Sequence, residues 1–349
     1  MSEAPANARI SDIGEKSLIR DFIKPYFNAN DDPEGVGDDC AMVAFGEEVA
    51  LLSSDRVPAD LTAFRLGLIN YKELGDYLAR LNLSDIAACG GRPAGLLLNL
   101  GLPDSITYGE VQQLCRGFGG CAARHGTQVL GGDITHAKEL SISATSIGRT
   151  RRGEVLTRRN AVPGDSIFLS RPLGMTPAAF CHFLGKSTGV LDEASLATLK
   201  AQFTAMEPML DLGRRLAASG KCSSCMDNTD GIGQSLSELA EASGVSFELD
   251  ESRLTIPQLV IRVCAAAGKL PLELVFDGGA DFSLVGTLLG EWTSDDAARA
   301  FGAPLQIIGR VEAGTGVWLQ IDENRQPLSF RGWNYFLAGG SSSQGMTPP

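Results

Sequence analysis

The sequence predicts a two-domain mixed α/β (α+β) protein whose first half is rich in strands. Three observations carry this reading. Short apolar runs alternate with stretches of helical periodicity along the whole chain. The 41 glycines favour tight turns and close backbone approach over a helical bundle. The length, 349 residues, exceeds the usual size of one core. We expect a first domain over 1–150, a second over 151–337 and a disordered tail over 338–349, where Gly, Ser and Pro dominate.

The elements follow in order. Residues 1–12 are small and polar, and Ser17 to Phe27 reads as a short amphipathic helix. Cys40–Phe45 and Val49–Ser53 read as paired strands around Gly46-Glu47-Glu48. Leu74, Leu78 and Leu81 recur at helical spacing, which makes Lys72 to Cys89 a helix. Ala94–Leu102 is a buried-type strand, Tyr108 to His125 a helix ending at Gly126, and Thr127–Leu130 and Leu140–Gly148 are strands. The basic residues Arg151, Arg152, Arg158 and Arg159 mark the crossing between halves, and Ser166–Ser170 opens a second strand system. Helices follow near 175–184, 193–204, 207–219 and Ile232 to Ala242, with strands into Asp227 and near 245–249, 282–288 and 305–311. No short repeat is visible.

Composition excludes several classes. A net charge of −12 argues against a duplex nucleic-acid binder. Met1 to Arg9 has no apolar core for a signal peptide, and no apolar run reaches spanning length. The eight cysteines are scattered, which fits reduced thiols in a cytoplasmic protein. Cys222 and Cys225 form a lone CxxC, read as two thiols at a strand start. Gly185-Lys186-Ser187 is not a phosphate-binding loop, because Phe180 stands where the first glycine is required; it reads as a helix C-cap. The three histidines share no ligand spacing.

The chemistry lies in five acidic clusters: Gly37-Asp38-Asp39, Ser53-Ser54-Asp55, Asn82-Leu83-Ser84-Asp85, Gly131-Gly132-Asp133 and Asp227-Asn228-Thr229-Asp230-Gly231. Each alone fits a turn, a strand end or a helix cap. Asp85, at the end of the apolar stripe, is either helix-end solvation or a site residue. Together they repel unless a cation gathers them. Hard carboxylate oxygens suit Mg²⁺, and Mg²⁺ suits a nucleotide polyphosphate. Paired glycines at Gly131-Gly132 let a backbone approach phosphate closely.

These motifs, in this order, resemble the thiamine-monophosphate kinase family of aminoimidazole-ribonucleotide-synthetase-like proteins. Asn82-Leu83-Ser84-Asp85-Ile86-Ala87-Ala88-Cys89 matches that family's Asn-Leu-Ser-Asp-Ile-Ala-Ala motif closely. Gly131-Gly132-Asp133-Ile134-Thr135 matches its Gly-Gly-Asp-Thr motif, and the stretch from Arg158 to Asp165 matches its Pro-Gly-Asp segment. The resemblance runs from Gly14 to Trp333. It implies ATP and Mg²⁺ as co-substrate and cofactor, direct transfer of the γ-phosphoryl group to a small-molecule acceptor, and a homodimer whose first-domain sheets form an intersubunit barrel. By this resemblance Asp38, Asp39, Ser54, Asp55, Asp85, Asp133 and Asp230 hold metal; Asp133, Asp230 and Arg158 act in catalysis; and Gly37, Asn82, Gly131, Gly132 and Thr229 bind nucleotide. The chain departs from the family at Thr62, where a histidine is usual, and at Ala280 and Ser283, where glutamates are usual. Those departures open the alternative of another acceptor; the synthetase branch of the same superfamily implies a further one, ATP-driven carbon–nitrogen bond formation.

Overall fold

A computed structural model describes residues 9–10, 14–27, 37–57, 61–187, 191–328 and 330. The expected tail at 338–349 and most of 1–12 lie outside them. The first sheet has the order β1-β2-β5-β3-β4, with β1 Ala41–Phe45, β2 Glu48–Val57, β3 Arg92–Leu102, β4 Val129–His136 and β5 Ser141–Arg151. Its pairs are antiparallel except β3 with β4. The expected β1–β2 hairpin is present, turning at Gly46, whose φ of +66° suits glycine.

Helices α1 (Tyr71–Ala88) and α2 (Tyr108–Arg124) cover one face of this sheet. Each starts in a capping box, Asn70 with Glu73 and Thr107 with Glu110, which satisfies first-turn N–H groups. The two helices cross in near backbone contact: a Cβ on Gly117 would stand 1.7 Å from the Lys72 carbonyl oxygen, and one on Gly75 2.1 Å from that of Leu114. Along β2 the burial alternates, so Leu51 and Val57 join the core, with Ser53 and Asp55 on the same side. The other face carries exposed Val43 and Phe45, and β4 is exposed along its whole length.

The second sheet has the order β12-β11-β8-β10-β6-β9-β7. Its strands are β6 Ser166–Leu169, β7 Cys222–Asp227, β8 Ser246–Asp250, β9 Leu284–Leu288, β10 Gln306–Glu312, β11 Gly316–Ile321 and β12 Asn324–Pro327. Helices α3 Met175–Phe183, α4 Glu193–Thr204, α5 Leu210–Ser219, α6 Ile232–Ser243, α7 Gln258–Ala267, α8 Pro271–Asp277 and α9 Ser294–Phe301 accompany it. Two apolar cores draw on both halves: one joins Leu74 and Leu78 of α1 to Phe180, Leu199 and Phe203, the other joins Leu51 and Ile86 to Phe168, Leu212 and Leu284. Helix α1 is thus wedged between the two sheets. Among the described residues no helix is long and apolar enough to cross a membrane.

Several boundaries differ from the sequence reading. β2 continues to Val57, so Ser53-Ser54-Asp55 lies inside a strand and not at its end. β4 starts later than expected and runs through Gly131-Gly132-Asp133. Ladder pairing to β5 and β3 carries both segments onward despite their turn-type composition. The N-terminal helix begins at Glu15 and contains a π-helical stretch, Ile19–Ile23. Helices α7, α8 and α9 and strands β11 and β12 were not expected.

Candidate active site

The site forms where α1 passes between the sheets. Asp39 precedes β1, Asp85 sits in the last turn of α1, and Asp227 ends β7. One carboxylate oxygen from each lies within 4.8 Å of the others. Asp55 of β2 lies close enough to Asp85 for its charge to raise the Asp85 carboxyl, and Ser53 Oγ donates to Asp85 Oδ2. Asn82, fully buried one turn before Asp85, ties the helix to the strand. Its Oδ1 accepts from the Asp55 N–H at 3.2 Å and its Nδ2 donates to the Leu78 carbonyl at 3.0 Å.

The electrostatics are those of crowded acids in a dry place. Burial pushes Asp39 up to about 6, although Arg158 beside it works the other way. Burial, then Asp55 and Asp227, hold Asp85 well above the usual carboxylate range. Burial, then Asp39, does the same to Asp227, and burial raises Asp55. Arg158 answers part of this charge: its Nη2 donates to Asp39 Oδ1 at 2.8 Å and its Nη1 to Glu238 Oε2 at 2.6 Å. Burial works against its charge, but Asp39 and Glu238 more than offset that and raise its pKa. Asp38 is anchored differently, accepting from the Arg158 backbone N–H at 2.7 Å and from Arg159 Nη2 at 3.5 Å.

The residues present fit a hard divalent cation. Asp39 Oδ2 and Asp227 Oδ2 are buried and have no hydrogen-bond partner in the protein. Such groups are costly unless a ligand completes them. Carboxylate oxygens from three separate elements suit Mg²⁺, which takes few protein ligands and keeps waters.

The structure brings Asp38, Asp39, Asp55, Asp85, Asn82 and Arg158 into this region, with half-buried Asp230 close enough to act on the charge of Asp55. Thr229 Oγ1 donates to Asp227 Oδ1 at 3.3 Å. Gly37 opens the segment carrying Asp38 and Asp39, with a φ of +133°. Ser54 points to the opposite face of β2, its hydroxyl donating to the Ala144 carbonyl at 3.1 Å. Gly131, Gly132 and Asp133 lie on exposed β4, with Asp133 opposite Asn99 of β3. Two strands separate β4 from β2, a span of roughly 14 Å. Asp227 and Ser53 stood in the acidic clusters without being singled out as site residues, and Glu238, mid-helix, was missed. The available signal for Asp227 was its place as the last residue of a buried strand; Glu238 gave none. The histidines stay apart: His125 meets Glu207 at 2.8 Å and His182 meets Ser187 at 2.9 Å.

The AIR synthase related protein N-terminal domain model matches residues 37–150, and the C-terminal domain model matches 162–322. The thiamine-monophosphate kinase of Archaeoglobus fulgidus is 31% identical over 300 residues, which cover 85% of this chain and 90% of that one. The chain belongs to the thiamine-monophosphate kinase family. The Pyrococcus horikoshii thiamine-monophosphate kinase is 28% identical over 93% of this chain and 97% of its own. A solved structure described as AaThiL complexed with AMPPCP and TMP superposes with a TM-score of 0.78 at 25% identity, over 95% of this chain and 99% of that one.

Proposed function

We propose that this chain is an ATP- and Mg²⁺-dependent kinase that converts thiamine monophosphate to thiamine diphosphate by direct in-line transfer. The observation that carries the proposal is the convergence of Asp39, Asp85 and Asp227 with unpartnered buried oxygens, in a member of this family. Mg²⁺ held there supplies charge neutralisation for the triphosphate and the transferring phosphoryl group. The chain's own residues do the positioning. Asp39, Asp85 and Asp227 hold the metal, and Asp38, Asp55 and Asp230 surround it. Arg158 offers a forked cation to phosphate oxygens. We assign nucleotide contacts to Gly37, Asn82 and Thr229, and to Gly131 and Gly132 with Asp133 on β4. Phosphorus NMR with ATP, Mg²⁺ and thiamine monophosphate tests this; thiamine diphosphate and ADP are the expected products.

A second reading is carried by one observation. Ala280, where the family has glutamate, lines a small apolar cavity with Leu61, Ala63, Tyr77 and Thr176, and Leu61 and Ala63 flank Thr62. Of the three departures from the family, Ala280 thus lines this cavity and Thr62 lies between two of its lining residues, which favours a different acceptor for the same transfer. ATP and Mg²⁺ binding without thiamine diphosphate would select this second reading.

We further infer domains over 1–150 and 151–337, a reading supported by family matches that end at 150 and resume at 162. The eight free cysteines suit a reducing cytoplasm. We also infer a homodimer built on the uncovered face and edge of the first sheet. Exposures of 68% at Phe45, 51% at Leu130 and 69% at Ile134 support it, because an exposed apolar edge strand invites pairing. Light scattering should give twice the chain mass, and Ile134→Asp should give the monomer; a monomeric wild type would end this inference.

A further inference from the structure

Arg158 is shared between two carboxylates with different obligations. Asp39, its partner at 2.8 Å, is one of the three acids gathered for the cation, and its side chain is only 2% exposed. Glu238, its partner at 2.6 Å, belongs to α6 and lies outside that trio. Glu238 is itself steadied by Gln234, whose Nε2 donates to its Oε1 at 2.7 Å one turn earlier. A guanidinium is planar and permanently charged, so its two Nη groups can hold two acids at once. A divalent cation at the trio and the guanidinium compete for the same negative charge on Asp39.

We propose that Arg158 is the built-in counter-ion of Asp39 in the metal-free protein, and that Glu238 is a positioning residue that keeps the guanidinium at the site once metal takes Asp39 over. The proposal rests on the reading of the acid trio as a metal site. Without a cation, three crowded acids in a buried place need compensation, and Arg158 supplies one positive charge. When a dication arrives, Asp39 turns its charge to the metal and the Arg158–Asp39 attraction weakens. The guanidinium is then repelled by the metal. Glu238, anchored by Gln234 and with no duty to the metal, holds Arg158 by Nη1. Its Nη2 is released toward an incoming phosphate. Metal binding and the readiness of Arg158 are thereby one event.

The test is Mn²⁺ binding to the nucleotide-free protein, read by electron paramagnetic resonance, in a double-mutant cycle. Arg158→Gln should tighten Mn²⁺ binding and Glu238→Gln should weaken it, each by about threefold to tenfold, the coupling expected within one ion-pair network. In the Arg158→Gln background, Glu238→Gln should have almost no further effect, because there is no guanidinium left to hold. Additive effects would mean that both residues act only as nearby charges, and the proposal would fail while the metal site stood. No Mn²⁺ binding by the wild type would overturn the metal site itself. Should Arg158→Gln not fold, Arg158→Lys serves: an ammonium cannot fork between both acids, so Mn²⁺ should again bind more tightly.

Discussion

Asp227→Asn should lower kcat on the order of 10²-fold or more, since a metal ligand supplies several kcal/mol of charge stabilisation. The same change should raise the stability of the metal-free protein. Burial, then the charge of Asp39, holds the folded-state pKa of Asp227 well above its usual value. A carboxyl with a raised folded pKa favours the fold while protonated. That contribution is complete below the unfolded pKa of about 3.9 and is lost as pH rises through the folded value. Asp85 and Asp55 are raised by burial as well, so the wild type carries the same liability several times over. Thermal melts without metal should therefore show wild type falling relative to Asp227→Asn as pH rises above about 4. Adding Mg²⁺ at pH 8 should rescue the wild type far more than the variant, because a ligand bound by the native state stabilises it. Equal rescue of both proteins would show that Asp227 does not hold the metal.

Much of this site was legible because its acids sit in short, glycine-flanked motifs with an order along the chain. Asp39, Asp55 and Asp85 could be named without coordinates for that reason. Facing is what the motifs did not carry. Ser54 and Asp55 are neighbours in sequence, yet strand alternation sends Ser54 to the face opposite Ser53 and Asp55. Composition suggested that β2 and β4 stop at their motifs, whereas pairing with β5 and β3 extends them. The segment expected to begin a strand at 282 begins it at Leu284, because Ala280 and Phe282 adopt φ of +63° and +45°. Non-glycine residues seldom do so, and no sequence pattern announces it. The surrounding backbone explains it here: the Ala280 and Asp281 N–H groups donate to the carbonyls of Thr229 and Asn228, bracing the loop that carries Asp227.

Arg80→Met should destabilise the protein by about 3–5 kcal/mol, the cost of breaking a buried ionic network from one side. Helical spacing marks Leu74, Leu78 and Leu81 as the apolar stripe of α1 and gives Arg80 no special standing. In the structure Arg80 is fully buried. Its Nη1 donates to the Met206 carbonyl at 2.6 Å and its Nη2 to that of Phe203 at 3.0 Å, while its Nε lies 2.8 Å from Asp76 Oδ1. Its guanidinium also lies 5.7 Å from the Phe282 ring and 5.8 Å from that of Tyr77. One side chain thus fastens α1, which carries Asp85, to the last turn of α4 and the stretch just after it, and to the strained loop beside Asp227. Methionine fills much of the space but satisfies neither carbonyl and leaves Asp76 with Arg124 alone, at 2.8 Å. Arg80→Lys keeps the charge but lacks the planar fork, so it should recover only part of the loss. Urea unfolding of the three proteins measures this. A loss below about 1 kcal/mol for Arg80→Met would place the guanidinium among ordinary hydrogen bonds and remove it from the joint between the two sheets.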